Sequence, residues 1–462
     1  MSPLFIGSAL GILALFFFYG LFFSGTASSS SEYAVASRKA TAGGVSGVIL
    51  GALVGGGSTV GTVQLAYTWG LSAWWFTLGG GVGCLIMGMW FIVPLRRTRL
   101  VTLPQFLGSH FGPSMALLGA FSSAAGSFLS LIAQFLAGTA LLGSVFPLPL
   151  WGNVLLLAGL ILAFAWGGGI KSFSRLGWTK ILFLYAVMIL CAGRALLQGH
   201  TPGFPAASLP FDPFFNVFAR GVGKDLGAFA SLLAGVLCGQ IYIQAVYAAS
   251  SDATAKKAFL LTSLIGPPLG LLGVWIGLAM RNSGVVVEGA QALPFFIQTY
   301  FHPLLGGFLW SGIMITVLGT AVGITFAVAT NLTQDIYLKT RRAAGIDDAR
   351  ILLVSRMIVL LVVALSGTIA LGAGQSLILS WAYVGMGIRG AGILAPLCAA
   401  VFRPGELSPR FSFLSGAGGL AGVLFGALFL KGIDPLFSGL ALSGIIALAG
   451  MKAGTNRLTR GK

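Results

Sequence analysis

Apolar and polar positions along this chain fall into long blocks, with charge gathered in the short gaps between them. A helix of about 20 apolar residues matches the hydrocarbon thickness of a bilayer. Blocks of that order fall at 3–23, 43–70, 71–95, 115–145, 150–167, 177–197, 226–249, 257–280, 304–331, 351–372, 377–401, 411–430 and 435–452. The pattern predicts an all-α polytopic membrane protein with about thirteen transmembrane helices. The stretch between Lys39 and Arg96 carries no charge and is long enough for two spans and a turn. The first block lacks the positive flank of a secretory signal and its apolar run is long for one, although the small residues after it leave cleavage open.

One block is interrupted. Within Gly43 to Gly70 three consecutive glycines, Gly55, Gly56 and Gly57, are followed by Ser58, Thr59 and Gly61. Each glycine costs a helix about 1 kcal/mol relative to alanine, so the run predicts a break in mid-membrane. Unwound backbone is tolerated there where it is buried in protein or lines a cavity, and many secondary transporters hold solute and ion at such breaks. The competing reading is that the glycines let neighbouring helices approach closely.

Composition agrees with the block pattern. Hydrophobic residues make up 56% of the chain, charged residues 8%, and the mean hydropathy is +0.95. A soluble domain would carry about 25% charged residues. With the N-terminus outside, the inward gaps hold most of the 27 Lys and Arg residues, including Arg96, Arg97, Arg99, Lys256, Lys257 and Lys339. The outward gaps hold only Arg194, Arg220, Lys224, Arg281 and Lys431, with Arg389 alone in mid-span. This positive-inside bias fits an odd number of spans and a cytoplasmic C-terminus, as in a bacterial-type inner membrane. The net charge of +17 is therefore a topology signal and not a nucleic-acid footprint. Cys84, Cys191, Cys238 and Cys398 all lie in apolar blocks and read as small core residues.

Four segments carry a family resemblance: TLPQFLGSHFG at 102–112, WGGGIKSFSRLGWTK at 166–180, QIYIQAVYAASSDATAKKA at 240–258 and NLTQDIYLK at 331–339. In this order and spacing, and with SEYAVASRK at 31–39, the chain as far as Val401 resembles the sodium/solute symporter family. The resemblance implies an inverted pair of five-helix repeats at 31–198 and 199–402, an additional helix in 1–30, and two further helices with a short tail in 403–462. It makes Gly43–Gly70 the broken first helix of repeat one, and places a second break near Gly235 and Gly239 in repeat two. It also implies a sodium site formed by carbonyls near Gly51 and Val54 and by the span 304–331, where the usual hydroxyl pair falls on Gly319 and Thr320 and a backbone ligand on Thr316. Thr316 and Thr320 lie four apart, on one helix face, so Thr316 is a candidate substitute for the hydroxyl lost at Gly319. Bonding of these threonines to carbonyls one turn back is the alternative.

Two further positions depart from the family. Lys180 and Leu53 stand where acidic residues are usual. An ammonium beside the cation site would repel sodium, and burial disfavours the charged form of a lysine, which suits proton exchange. Proton-coupled amino-acid transporters of the same overall fold resemble this arrangement. A lysine near a helix end also snorkels readily to the headgroups, and that reading stays beside the first.

Arg389 is the charge left in mid-span, expensive unless it faces a partner or water. A carboxylate-bearing solute would match its guanidinium; bonding to carbonyls of a broken helix, or capping an outer gate, is the other reading. The candidate solute site is accordingly Gly55, Gly56, Gly57, Ser58, Thr59, Gln240, Gln244 and Arg389, and the candidate cation site is Gly51, Val54, Thr316, Gly319, Thr320 and Lys180. The function expected is symport of a small organic solute, with sodium as the one ion the family implies and no other cofactor. The partners are solute and bilayer, with no nucleic acid. A transporter-like sensor is the alternative, disfavoured because the chain stops soon after its last span. An enzyme is not expected: His110, His200 and His302 are scattered in loops, and Asp335, Asp347 and Asp348 read as solvated charges of a basic loop.

Overall fold

The computed structural model describes residues 2–24, 38, 40–165, 169–198, 209–340, 347–374, 376–430 and 432–460. The segments 31–37 and 166–168 of the family motifs lie outside the described residues. Among those described, regular structure is helical apart from one isolated parallel bridge between Ala40 and Ala249. Helix is what lipid demands, since a backbone without water must satisfy its own hydrogen bonds.

In chain order the main helices are α1 (Pro3–Ser24), α2 (Ala42–Leu53), α3 (Thr62–Trp69), α4 (Trp75–Ile86), α5 (Ile92–Arg97), α6 (Leu103–Phe111), α7 (Pro113–Gly143), α8 (Leu150–Ala165) and α9 (Gly169–Gln198). They continue with α10 (Phe211–Phe214), α11 (Val222–Cys238), α12 (Gln240–Ala248), α13 (Asp252–Asn282), α14 (Ala292–Tyr300), α15 (Pro303–Thr330), α16 (Asp348–Ala373), α17 (Ile378–Phe402), α18 (Pro409–Phe429) and α19 (Pro435–Arg460). By length and apolarity, 8 helical stretches among the described residues qualify as spans, or 9 when the bent pair α11–α12 is joined. One of the 8, Gly57–Arg97, contains parts of two expected spans. Shorter apolar helices, Pro3–Phe18, Ala42–Leu53, Leu150–Ala165 and Pro435–Met451, stand at the remaining expected positions. Length and composition thus support a polytopic bundle without themselves yielding thirteen.

Small residues set the close crossings, as expected where lipid gives helices little hydrophobic reason to associate. The crossing of α7 and α17 is an example: a Cβ added at Gly126 would lie 2.2 Å from the Gly385 carbonyl, and one added at Gly385 2.4 Å from the Gly126 carbonyl. The ends of α5, α12 and α13 are tied by Arg96, which donates to Asp252 Oδ1 at 2.6 Å and to the carbonyls of Val246 and Ala249 at 2.8 and 2.6 Å. A cation at the end of α12 also complements that helix's terminal carbonyls. Cys84, Cys191 and Cys238 are buried and unpaired.

Candidate functional site

The first span breaks at the glycine run. α2 ends at Leu53, Val54 is extended (φ −102, ψ 97), and helix resumes as a π-turn over Gly57–Gly61. The freed groups find side chains close by. Gly55 N–H donates to Ser58 Oγ at 2.9 Å and Gly56 N–H to Gln134 Oε1 of α7 at 2.8 Å. The Gly55 carbonyl accepts from Ser58 Oγ at 3.1 Å and Thr59 Oγ1 at 2.8 Å. The hydroxyls of Ser58 and Thr59 are therefore engaged in holding the break. Close approach explains the glycines as well: a Cβ at Gly55 would meet Thr320 Oγ1 at 2.6 Å, and one at Gly56 would meet Ala137 Cβ at 2.4 Å. Both readings of the run apply to the same three residues. A second break follows α11, where extended Gly239 (φ −82, ψ 123) separates α11 from α12 with a bend of 44°.

Below the first break four of the candidate cation residues converge. Lys180 is 2% exposed and turned inward, not towards the headgroups. Its Nζ donates to the Gly51 carbonyl at 2.8 Å and to Thr320 Oγ1 at 2.8 Å. Thr320 Oγ1 in turn lies 2.7 Å from the Gly51 carbonyl and 3.1 Å from the Val54 carbonyl. A hydroxyl has one proton, so Thr320 accepts from the ammonium and donates to one of the two carbonyls. Thr316 does not join them: its hydroxyl donates to the Gly312 carbonyl at 2.8 Å, the bond one turn back that apolar helices favour. Leu53 is buried, with its methyl carbons facing Gly80 of α4 and Gly266 of α13.

Arg389, 4% exposed, sits where α17 crosses α7. Its Nη2 donates to Ser130 Oγ at 3.0 Å, its Nη1 to Ser127 Oγ at 3.5 Å, and its Nε to the Gly385 carbonyl at 3.2 Å. Among the described residues no carboxylate pairs with it. Gln240 is placed differently from expectation. Its Oε1 accepts from Leu103 N–H at 3.1 Å and its Nε2 donates to the Val101 carbonyl at 3.3 Å, so it holds the segment leading into α6. Gln244 is buried one turn further along α12.

One acid departs from the expectation of a solvated charge. Asp335 is no solvated loop charge: α15 continues as a π-turn over Asn331–Tyr337, which buries the carboxylate beneath Thr102, whose Oγ1 donates to it at 2.8 Å, with Lys339 Nζ at 3.8 Å. Asp225, at the start of α11, is also buried, receiving Ser72 Oγ at 2.7 Å and Arg220 Nε at 2.7 Å. Asp347 is exposed, and its side chain accepts from Ala349 N–H at the start of α16.

Residues outside the expected set border the first break and continue from it. Gln134 braces the break, and Ser123, Ser127 and Ser130 continue its face of α7. Their spacing of 4, 3 and 4 residues in an apolar span is a helical-face pattern visible in the sequence.

Two broken helices packed against continuous neighbours, with buried polar groups at the breaks, define an integral membrane transporter fold. The chain belongs to the sodium:solute symporter family, whose profile matches residues 33–201 and 229–405. It is similar to the high-affinity proline transporter PutP of Bacillus subtilis, 25% identical over 395 residues covering 78% of this chain and 77% of that one. It is likewise similar to sodium/proline symporter 2 of Staphylococcus saprophyticus, 26% identical over 401 residues covering 80% and 75%. In fold it matches a Na+-coupled sialic acid symporter in a substrate-bound outward-open state, with a TM-score of 0.83, 14% identity and 98% of each chain covered. A closed form of the nucleobase-cation-symport-1 transporter MHP1 matches with a TM-score of 0.58, 10% identity, and 93% and 96% coverage.

Proposed function

We propose that this protein is a secondary transporter of a small organic solute, working by alternating access, in which the ammonium of Lys180 stands in the place of the coupling cation. The observation that carries this reading is the pair of 2.8 Å bonds from Lys180 Nζ to the Gly51 carbonyl and Thr320 Oγ1. These are the carbonyl and hydroxyl oxygens to which the family resemblance assigns sodium. A sodium ion about 4 Å from a fixed ammonium would be repelled by roughly 4 kcal/mol at an effective dielectric of 20, about a thousandfold in affinity. The site as built fits the ammonium, and sodium would have to displace it. Release of the lysine from Gly51 and Thr320 then requires side-chain movement or loss of its proton, which links the arrangement around the break to pH.

The two repeats at 31–198 and 199–402 supply the moving and supporting halves in this proposal, with 1–30 and 403–462 as flanking helices. The charge distribution supports an outside N-terminus and a cytoplasmic C-terminus. Solute would meet the protein at the break held by Gly56 and Gln134. The names of the relatives make proline the first solute to try. The test is uptake by proteoliposomes of proline and of a panel of labelled acids, amides, sugars and nucleobases, driven in turn by a pH gradient and by a sodium gradient. Uptake that follows the pH gradient and ignores sodium is expected. Uptake steep in sodium and indifferent to pH would return the protein to ordinary sodium symport, and failure of the whole panel would count against transport.

A further inference from the structure

Arg389 is a guanidinium in the middle of α17 with three neutral partners. Arginine stays protonated in proteins, and a buried charge without a counter-charge costs several kcal/mol. Its surroundings are nevertheless polar in one direction. Along α7, Gln134, Ser130, Ser127 and Ser123 fall at successive turns, a seam about 16 Å long at 1.5 Å per residue. All four are buried. Gln134 holds the Gly56 amide at the upper end. Ser130 and Ser127 face Arg389 in the middle. At the lower end Ser123 Oγ accepts from Asn331 Nδ2 at 2.7 Å, while Asn331 Oδ1 is buried without a partner.

We infer that this seam is a path for an anionic group and that Arg389 binds the carboxylate of the transported solute at its midpoint. The inference rests on the transport reading and adds to it the class of solute and the residue that selects it. Serine hydroxyls suit the task because they rotate. Ser130 Oγ now accepts from Arg389 and donates to the Gly126 carbonyl at 3.0 Å, and can turn its proton to a carboxylate oxygen instead. The guanidinium fork takes the two oxygens of a carboxylate in parallel, at the short distances of charge-assisted bonds. A carboxylate arriving from the break would exchange its water for these donors and supply the counter-charge that Arg389 lacks among the described residues. The seam then leads it on towards Asn331 and the inner end of α15.

The experiment compares each acid that supports uptake with its own amide, in the wild type and in Arg389→Gln and Arg389→Lys, with chloride or gluconate as the bath anion. The acid should be carried and the amide carried poorly. Arg389→Gln should raise the half-saturation concentration for the acid by at least about tenfold, as expected when one partner of a buried charge pair is removed, and Arg389→Lys should recover part of the loss. Replacing chloride by gluconate should change nothing. Equal uptake of acid and amide, an unaltered half-saturation concentration in Arg389→Gln, or a requirement for chloride would each overturn the inference while leaving transport intact. Should Arg389→Gln fail to insert, Ser130→Ala takes its place, with a severalfold rise expected for the acid and an unchanged value overturning the claim. Absence of uptake for every solute would strike the transport reading instead, which separates the two failures.

Discussion

A β-carbon added at Gly319 would lie 3.2 Å from Lys180 Cδ and 3.4 Å from Lys180 Nζ. Contacts that short are tighter than side chains ordinarily make, so the lysine stem occupies the space that a serine or threonine at 319 would claim. The absence of a side chain at 319 and the inward course of Lys180 therefore go together sterically. Gly319→Ser alone should disturb the ammonium and lower uptake. Combined with Lys180→Ala, it should give a protein that sodium stabilises against heat, read by the melting temperature in sodium against choline; the same response in the wild type would uncouple the two positions.

Gly56 supplies a second steric test. With Ala137 Cβ only 2.4 Å from the place of an added Cβ, Gly56→Ala should cost about 1–3 kcal/mol as overpacking does and impair uptake. Ala137→Gly removes the opposing methyl and should restore much of both in the double variant. A Gly56→Ala protein with normal melting temperature and uptake would remove the reason for a close approach at the break. Gly56→Leu should abolish uptake altogether.

The Arg220–Asp225 pair yields a stability prediction. Arg220 Nη2 lies 2.6 Å from Asp225 Oδ1, with side-chain exposures of 12% and 0%. Removing one partner from such a pair leaves a buried charge, so Arg220→Gln should destabilise the protein by about 3 kcal/mol. Arg220→Gln with Asp225→Asn should be less damaged than Arg220→Gln alone. Thermal unfolding of the detergent-purified variants decides it, and a double variant worse than the sum of the singles contradicts the pairing.

What the sequence made legible follows from how local each feature is. The break at Gly55 and Gly56 was readable because three glycines weaken a helix wherever they stand. The position of Lys180 could be read only through the WTK motif, and its direction could not, since a long side chain near a helix end reaches headgroups or core with similar ease. The bonds to Gly51 and Thr320 depend on helices distant in sequence. Asp335 reads as a solvated charge from its basic neighbours, but burial persists through a π-turn beyond the last apolar residue of its span. Gln240 stands beside a break, yet the backbone at Val101 and Leu103 claims its amide, a contact no periodicity contains. Thr316 followed the more common habit of a helical threonine. The serine seam on α7 was present as spacing but had no meaning until Arg389 was seen against it.

Topology supplies a prediction independent of packing. Single cysteines introduced at Ser30, which lies outside the described residues, and at Thr455 should react with a membrane-impermeant thiol reagent only from the cytoplasmic side. Labelling of either from outside would reject an outward N-terminus with an odd number of spans.

Whether an ammonium of the protein fills the cation position is decided by equilibrium binding of radioactive sodium to the purified protein and to Lys180→Met. No saturable sodium binding by the wild type is expected, since the oxygens of Gly51 and Thr320 already hold Lys180. Saturable sodium binding by the wild type at one ion per chain, unchanged in Lys180→Met, would contradict it.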